Sequence, residues 1–232
     1  MIETKAIVIS KQDSGDKDVI ITLFSLEKGV LKAKLKGVKN QNAKMKFAKE
    51  LFCFGNFMLT ESSGGYSVVT NCDCLDTFYE ISTDYDAFFE ASQIIRIVGK
   101  IVQVNQSNPS LFVEVLKALK ALAYEKPQKN YVLCKFLIAL FFNEGYYFHS
   151  ERCSNCNNVL VEDRFLCLNT GEILCSFCKD DSCISISYAV NKCIKFLSET
   201  DYDRLSTISF APSNINKTLD ILLRNYEFRF LS

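Results

Sequence analysis

The feature that most limits how this chain can fold is a pair of cysteine knuckles, Cys153-x2-Cys156 and Cys175-x2-Cys178, separated by 18 residues. Two such turns at that separation bring four thiolates to one point, the donor set of tetrahedral Zn²⁺ with sulfur ligands at about 2.3 Å. Four protein thiolates close the coordination shell and leave no position for a substrate water. The expectation is therefore one structural zinc, contributing on the order of 10 kcal/mol or more to local folding. Between the knuckles, Arg164-Phe165-Leu166-Cys167-Leu168, then Asn169-Thr170-Gly171, then Glu172-Ile173-Leu174 read as a hairpin, which makes the segment a zinc-ribbon-like insert. Four buried free cysteines are the plainer alternative, and a redox pair would explain one CxxC but not the second. Cys167 and Cys183 lie nearby but belong to no knuckle, so they stay outside the ligand set.

The rest of the chain divides by hydrophobic period. Residues 4–9, 19–24, 30–36, 51–59 and 66–72 are five short β-type runs, separated by turn chemistry at 12–16, 27–29 and 62–65. Within 30–36 the alternation is strict, with Leu31, Ala33 and Leu35 on one face and Lys32, Lys34 and Lys36 on the other. Five strands in about 80 residues predict a small closed barrel, OB-like by preference, although an SH3-like barrel would give the same spacing. After residue 82 the period becomes helical: Phe88, Ala91, Ile94, Ile95, Val98, Ile101 and Val102 share a face. Asn108-Pro109 predicts the start of a second helix, stopped by Pro127, and residues 130–143 a third with Gly145 as its C-terminal cap. These three are expected to form a bundle. Further helical segments at 188–197 and after Ser213, carrying Ile215, Leu219, Leu222, Leu223 and Tyr226, are expected to dock on it. The predicted class is α+β multidomain: a five-stranded OB-like barrel over 1–80, a mostly helical domain over 81–148 and 184–232, and the four-cysteine zinc-ribbon-like insert over 149–183.

A second concentration of one residue type lies in the barrel. Residues 28–49 hold Lys28, Lys32, Lys34, Lys36, Lys39, Lys44, Lys46 and Lys49 and no Asp or Glu, although the whole chain balances 27 basic against 27 acidic residues. The neutral total excludes a polyelectrolyte that coats nucleic acid nonspecifically along its whole length. A lysine row on a barrel strand with a basic loop beside it is, however, how small barrels track a phosphate backbone. Lys32, Lys34, Lys36, Lys39, Lys44, Lys46 and Lys49 are therefore the candidate DNA contacts. The bland alternative is an edge strand kept soluble by its lysines. Lysine without arginine favours phosphate contacts over base readout. Phe52, Phe54 and Phe57 on the next strand read as barrel core rather than as a base-stacking platform.

Catalytic patterns are missing. His149 is the single histidine, and no P-loop, HExxH or G-x-S-x-G sequence occurs. The count of 11 cysteines is odd, which fits a reducing compartment better than a disulfide framework. The start of the chain lacks a signal-peptide pattern, and the longest fully apolar run is residues 136–142, far short of the roughly 20 residues that cross a bilayer. The expectation is a cytoplasmic, non-enzymatic protein with no membrane association.

With these residues in hand, the chain resembles the bacterial recombination mediator RecO family over nearly its full length. Lys34-Leu35-Lys36-Gly37-Val38-Lys39 after a strand is similar to the family's N-terminal barrel. Asn143-Glu144-Gly145-Tyr146 leading into Cys153-Ser154-Asn155-Cys156 is similar to its helix end and first knuckle. Phe165 and Leu168 with Gly171-Glu172-Ile173-Leu174-Cys175-Ser176-Phe177-Cys178 resemble the second, and Arg229-Phe230-Leu231 resembles the terminal signature. The resemblance implies a DNA-repair factor that binds single- and double-stranded DNA and anneals complementary strands. It also implies engagement of the single-stranded DNA-binding protein and a RecR-like mediator, and help in loading the recombinase onto gaps. The zinc ligands would be Cys153, Cys156, Cys175 and Cys178, and Lys34, Lys36 and Lys39 would lie on the DNA face. One departure stands out: no arginine occurs before Arg96. A protein–protein adaptor that never touches DNA is the competing reading.

Overall fold

The computed structural model describes residues 1–61, 66–104, 106–146, 148, 151–161 and 164–231. The turn expected at 62–65 and His149 lie outside the described residues. The chain separates into two compact units, Met1–Ala123 and Tyr124–Ser232.

The first unit is built on five strands: β1 (Ile2–Ser14), β2 (Asp18–Ser25), β3 (Gly29–Leu35), β4 (Phe54–Thr60) and β5 (Ser67–Asp76). They close into a barrel in the order β1-β2-β3-β5-β4. β1 pairs antiparallel with both β2 and β4, whereas β5 runs parallel to β3. That crossover is the OB-like arrangement, and it separates the two barrel types that spacing alone leaves equal. The alternation read in β3 holds, because Ala33 and Leu35 are fully buried with Val8, Ile21, Phe57 and Leu59 in the barrel interior.

Several strand ends differ from the expected ones. β1 continues through the polar residues Lys11 to Ser14, into the span expected as a turn. Each of these residues is paired across to β2, and the reversal comes only at Gly15, with φ +69°. Backbone pairing carries a strand past the end of its apolar alternation. β4 starts later than expected, at Phe54, because Phe52 adopts φ +71° while its N–H bonds the carbonyl of Val8.

Three helices complete this unit: α1 (Tyr79–Thr83), α2 (Tyr85–Ile101) and α3 (Pro109–Lys120), followed by a π-type turn over Ala121–Glu125. Asp84 caps α2 by accepting from the Ala87 N–H at 3.0 Å, and Asn108 caps α3 by accepting from the Leu111 N–H at 3.1 Å, with Pro109 in the first turn as expected. α2 packs on β1, and the ring of Phe112 on α3 lies 5.3 Å from Phe24 of β2.

The second unit contains α4 (Tyr131–Asn143), the strands β6 (Arg164–Cys167), β7 (Ile173–Leu174) and β8 (Cys183–Ile186), then α5 (Tyr188–Glu199) and α6 (Pro212–Phe230). α4 ends in a Schellman motif: Gly145 takes φ +86°, its N–H bonds the Phe142 carbonyl, and the Tyr146 N–H bonds the Phe141 carbonyl. α4 packs against α5 and α6. Within this unit α4, α5 and α6 form a bundle, so the two late helices dock on α4. Periodicity identifies an apolar face but carries no information about which other face will cover it. The buried stripe of α6 is also rotated from the expected one, running through Ile215, Thr218, Leu222, Asn225 and Tyr226. The hairpin expected between the knuckles is present as β6 and β7, and β8 adds a third strand on the other edge of β6, in the order β7-β6-β8.

Candidate metal centre and nucleic-acid interface

The two knuckles are shaped by tight backbone turns. At the first, the Asn157 N–H bonds the Cys153 carbonyl at 2.9 Å, with Asn157 itself at φ +60°. At the second, the Cys178 and Lys179 N–H groups both bond the Cys175 carbonyl at 3.1 Å. The Ser154 N–H reaches the Ile173 carbonyl at 3.0 Å and ties the first knuckle to β7, the strand that leads into the second. The result is that the Sγ atoms of Cys153, Cys156, Cys175 and Cys178 all lie within 4.8 Å of one another. Cys156 and Cys175 Sγ are 3.8 Å apart. A tetrahedron with bonds of about 2.3 Å has an edge of about 3.8 Å, so the four sulfurs fit a single metal ion.

The thiols are not equivalent. Burial pushes Cys153 up, but backbone N–H groups of Cys156, Cys175 and Asn155 outweigh it and bring the thiol down to about 6. Hydrogen bonding to Cys175, then desolvation, pushes Cys178 up to about 12. One thiolate forms readily and another resists ionisation beside it, which is the situation a bound cation relieves.

The insert is anchored to α6. Arg229 donates from Nη2 to the Leu168 carbonyl at 2.7 Å and stacks its guanidinium 3.8 Å from the centre of the Tyr146 ring. Gly171, in the β6–β7 turn at φ +77°, sits under both side chains, and a Cβ there would come within 2.6 Å of Tyr146 and 2.9 Å of Arg229.

The lysines behave differently. Lys34 on β3 pairs with Asp18 of β2 at 3.0 Å, and Lys39 pairs with Asp13 of β1 at 2.9 Å. Lys49 lies 3.9 Å from Glu50, while Lys46 donates to the Gln41 carbonyl. Lys32, Lys36 and Lys44 are exposed, with no carboxylate at ion-pairing distance among the described residues. Asp18 is held below the usual carboxylate range, first by the Gly37 N–H at 2.8 Å and then by Lys34. Of the three phenylalanines, Phe57 is inside the barrel, and Phe52 and Phe54 meet the rings of Phe88 and Phe112 at 5.7 and 6.2 Å. Phe52 and Phe57 offer no exposed face to a base.

The second unit also has a cleft of about 760 Å³ beside β6 and α5, lined by charges of both signs, Arg152, Arg164, Lys192 and Lys195 with Glu151 and Glu199, and Lys195 pairs with Glu151 at 3.3 Å. Arg164 is 4% exposed and spends its Nη atoms on the carbonyls of Val161 and Leu160. Sequence reading missed this cleft, because its four cations are spread over more than forty residues and interspersed with acids. Among the described residues no helix is long and apolar enough to cross a membrane.

Comparison with known proteins covers nearly the whole chain. The family model described as recombination protein O N terminal matches residues 1–78, and that described as recombination protein O C terminal matches residues 82–230. The chain is similar to the DNA repair protein RecO of Clostridium novyi, 25% identical over 226 residues, which cover 96% of this chain and 88% of the relative. It is similar to that of Acetivibrio thermocellus, 25% identical over 93% of this chain and 86% of the relative. It is also similar to that of Halalkalibacterium halodurans, 25% identical over 97% and 87%.

Proposed function

The chain belongs to the recombination protein O family of DNA repair proteins, and from that premise we propose that it acts as a non-enzymatic recombination mediator in the cytoplasm. It binds single- and double-stranded DNA through the barrel, anneals complementary strands, and helps load a recombinase onto gapped DNA with a RecR-like partner and the single-stranded DNA-binding protein. The observation that carries this reading is the outer face of β3 and the loop after it. There Lys32, Lys36 and Lys44 stand exposed on an OB-type barrel, without a carboxylate partner among the described residues. Such a face neutralises phosphates without reading bases, which suits a protein that must accept any gap. Lys34 and Lys39 contribute less, because each must first give up a carboxylate. The four knuckle thiols hold one structural Zn²⁺, whose closed shell braces the insert and takes no part in chemistry.

Anisotropy titration of labelled single-stranded DNA against the full chain at several salt concentrations tests the reading. Three phosphate contacts give a log–log slope of about −2. Binding that ignores salt, or that is unchanged in the triple variant Lys32→Glu, Lys36→Glu, Lys44→Glu, would overturn it. An annealing assay with bare and protein-coated complementary strands then tests the mediator role itself.

A further inference from the structure

The four-thiol cluster does not use every metal-type donor of the insert. Cys167, Asp180 and Cys183 each offer one donor atom, and these three atoms also lie within 4.8 Å of one another. The Sγ of Cys167 is 3.9 Å from either carboxylate oxygen of Asp180, and the Sγ of Cys183 is 3.4 Å from Oδ1. A tetrahedral ion with bonds of about 2.3 Å to sulfur and about 2.0 Å to oxygen would hold such atoms about 3.5 Å apart. The observed distances bracket that value.

The backbone assembles this trio much as it assembles the knuckles. Asp180-Asp181-Ser182-Cys183 is a turn closed by the Cys183 N–H on the Asp180 carbonyl at 3.2 Å, matching the turn of Cys175-Ser176-Phe177-Cys178 at 3.1 Å. The third donor arrives through the sheet: Cys167 at the end of β6 is paired directly with Cys183 at the start of β8. Neighbouring groups orient the donors. The Asp180 N–H bonds the Cys183 sulfur at 3.3 Å, the Ser182 N–H bonds Asp180 Oδ1 at 2.8 Å, and the Ser182 hydroxyl lies 3.2 Å from the Cys167 sulfur. Outer contacts of this kind hold metal ligands in place.

We propose that Cys167, Asp180 and Cys183 form a second metal site for a thiophilic divalent cation, separate from the four-thiol centre. Two soft sulfurs and one carboxylate select Zn²⁺ and its congeners over Mg²⁺ or Ca²⁺. Cys167 is buried, while Asp180 is exposed and Cys183 partly so, which puts the fourth coordination position on the solvent side. Three protein ligands with an open position make an exchangeable site, unlike the closed shell of the knuckles. A disulfide between the same two cysteines would leave the oriented Asp180 carboxylate without a role, and a cation uses all three donors.

The test is a Co²⁺ titration of the full chain carrying its resident zinc, followed by the thiolate-to-cobalt charge-transfer band, with a dye that reports released zinc. The expected result is one added Co²⁺ per chain, with no zinc released and with the band of a two-thiolate site. Cys183→Ser abolishes the band, and Asp180→Asn weakens binding at least about 10-fold, while both variants keep the resident zinc and so are shown to be folded. The proposal is overturned if no band develops, if cobalt appears only as zinc leaves, or if both variants titrate like the parent. It is equally overturned if intact-mass and peptide analysis find Cys167 and Cys183 joined as a disulfide in the metal-replete protein. Resident zinc content is read in the same samples, so failure here is distinct from failure of the knuckle assignment.

Discussion

The insert and the barrel each carry a dense run of one residue type, and the fold treats them in opposite ways. Four thiols from two knuckles converge to within 4.8 Å. Eight lysines between residues 28 and 49 disperse, and Lys34 and Lys39 are taken up by Asp18 and Asp13 from neighbouring strands. The thiols converge because each knuckle is a local turn and a short hairpin brings the two together. The lysines are redistributed because counter-charges arrive from other strands of the barrel, Asp18 from β2 and Asp13 from β1. Ligand geometry set by local turns survives folding; a charge count does not.

The largest effect that can break this comparison is loss of one knuckle sulfur. Cys175→Ser is expected to abolish binding of the proposed zinc and, with it, a local stabilisation on the order of 10 kcal/mol. Limited proteolysis should then cut within 149–183, while the barrel keeps its β-type circular dichroism. An insert that stays protected without metal would remove the distinction.

Next in size is the lysine face. The triple Glu substitution of Lys32, Lys36 and Lys44 should lower single-stranded DNA affinity about 100-fold or more at low salt and take the salt slope towards zero. Replacing Lys34 and Lys39 instead should cost much less. Equal losses in the two sets would mean that the carboxylate pairs do not matter.

A smaller effect is expected at Gly171. Alanine there meets a strained φ and the side chains of Tyr146 and Arg229, so urea denaturation should show a loss of about 2 kcal/mol. Restoring space with Arg229→Ala in the same chain should recover part of it, since the two positions touch.

The smallest is the pH response of Asp18. Its carboxyl is held below the ordinary 3.8 by the Gly37 N–H and Lys34, so its contribution to stability is present above that pH and is lost as pH falls through the lower folded value. Asp18→Asn should flatten that acid limb in denaturation experiments. At neutral pH the same change frees Lys34 and should raise DNA affinity a few-fold, which sharpens the contrast between paired and unpaired lysines.

The sequence was legible wherever structure is local. Asn108 and Pro109 start α3, Gly145 ends α4, the alternation in β3 separates Leu35 from Lys36, and the CxxC spacing places four sulfurs together. The first three depend on residues only a few positions apart, whose turn, cap or pleat geometry is set by sterics and nearby hydrogen bonds; the four sulfurs also need the β6–β7 hairpin, which brings Cys175 to Cys153 across 22 positions. Tertiary structure decided the rest: that β5 crosses to β3 and makes the barrel OB-like, that α4 joins α5 and α6, that Lys34 is spent on Asp18 while Lys36 is not, and that Cys167 meets Cys183 across β6 and β8. Those outcomes depend on which distant apolar face or counter-charge gains most from being covered. A one-dimensional pattern identifies the faces and leaves their partners to the packing.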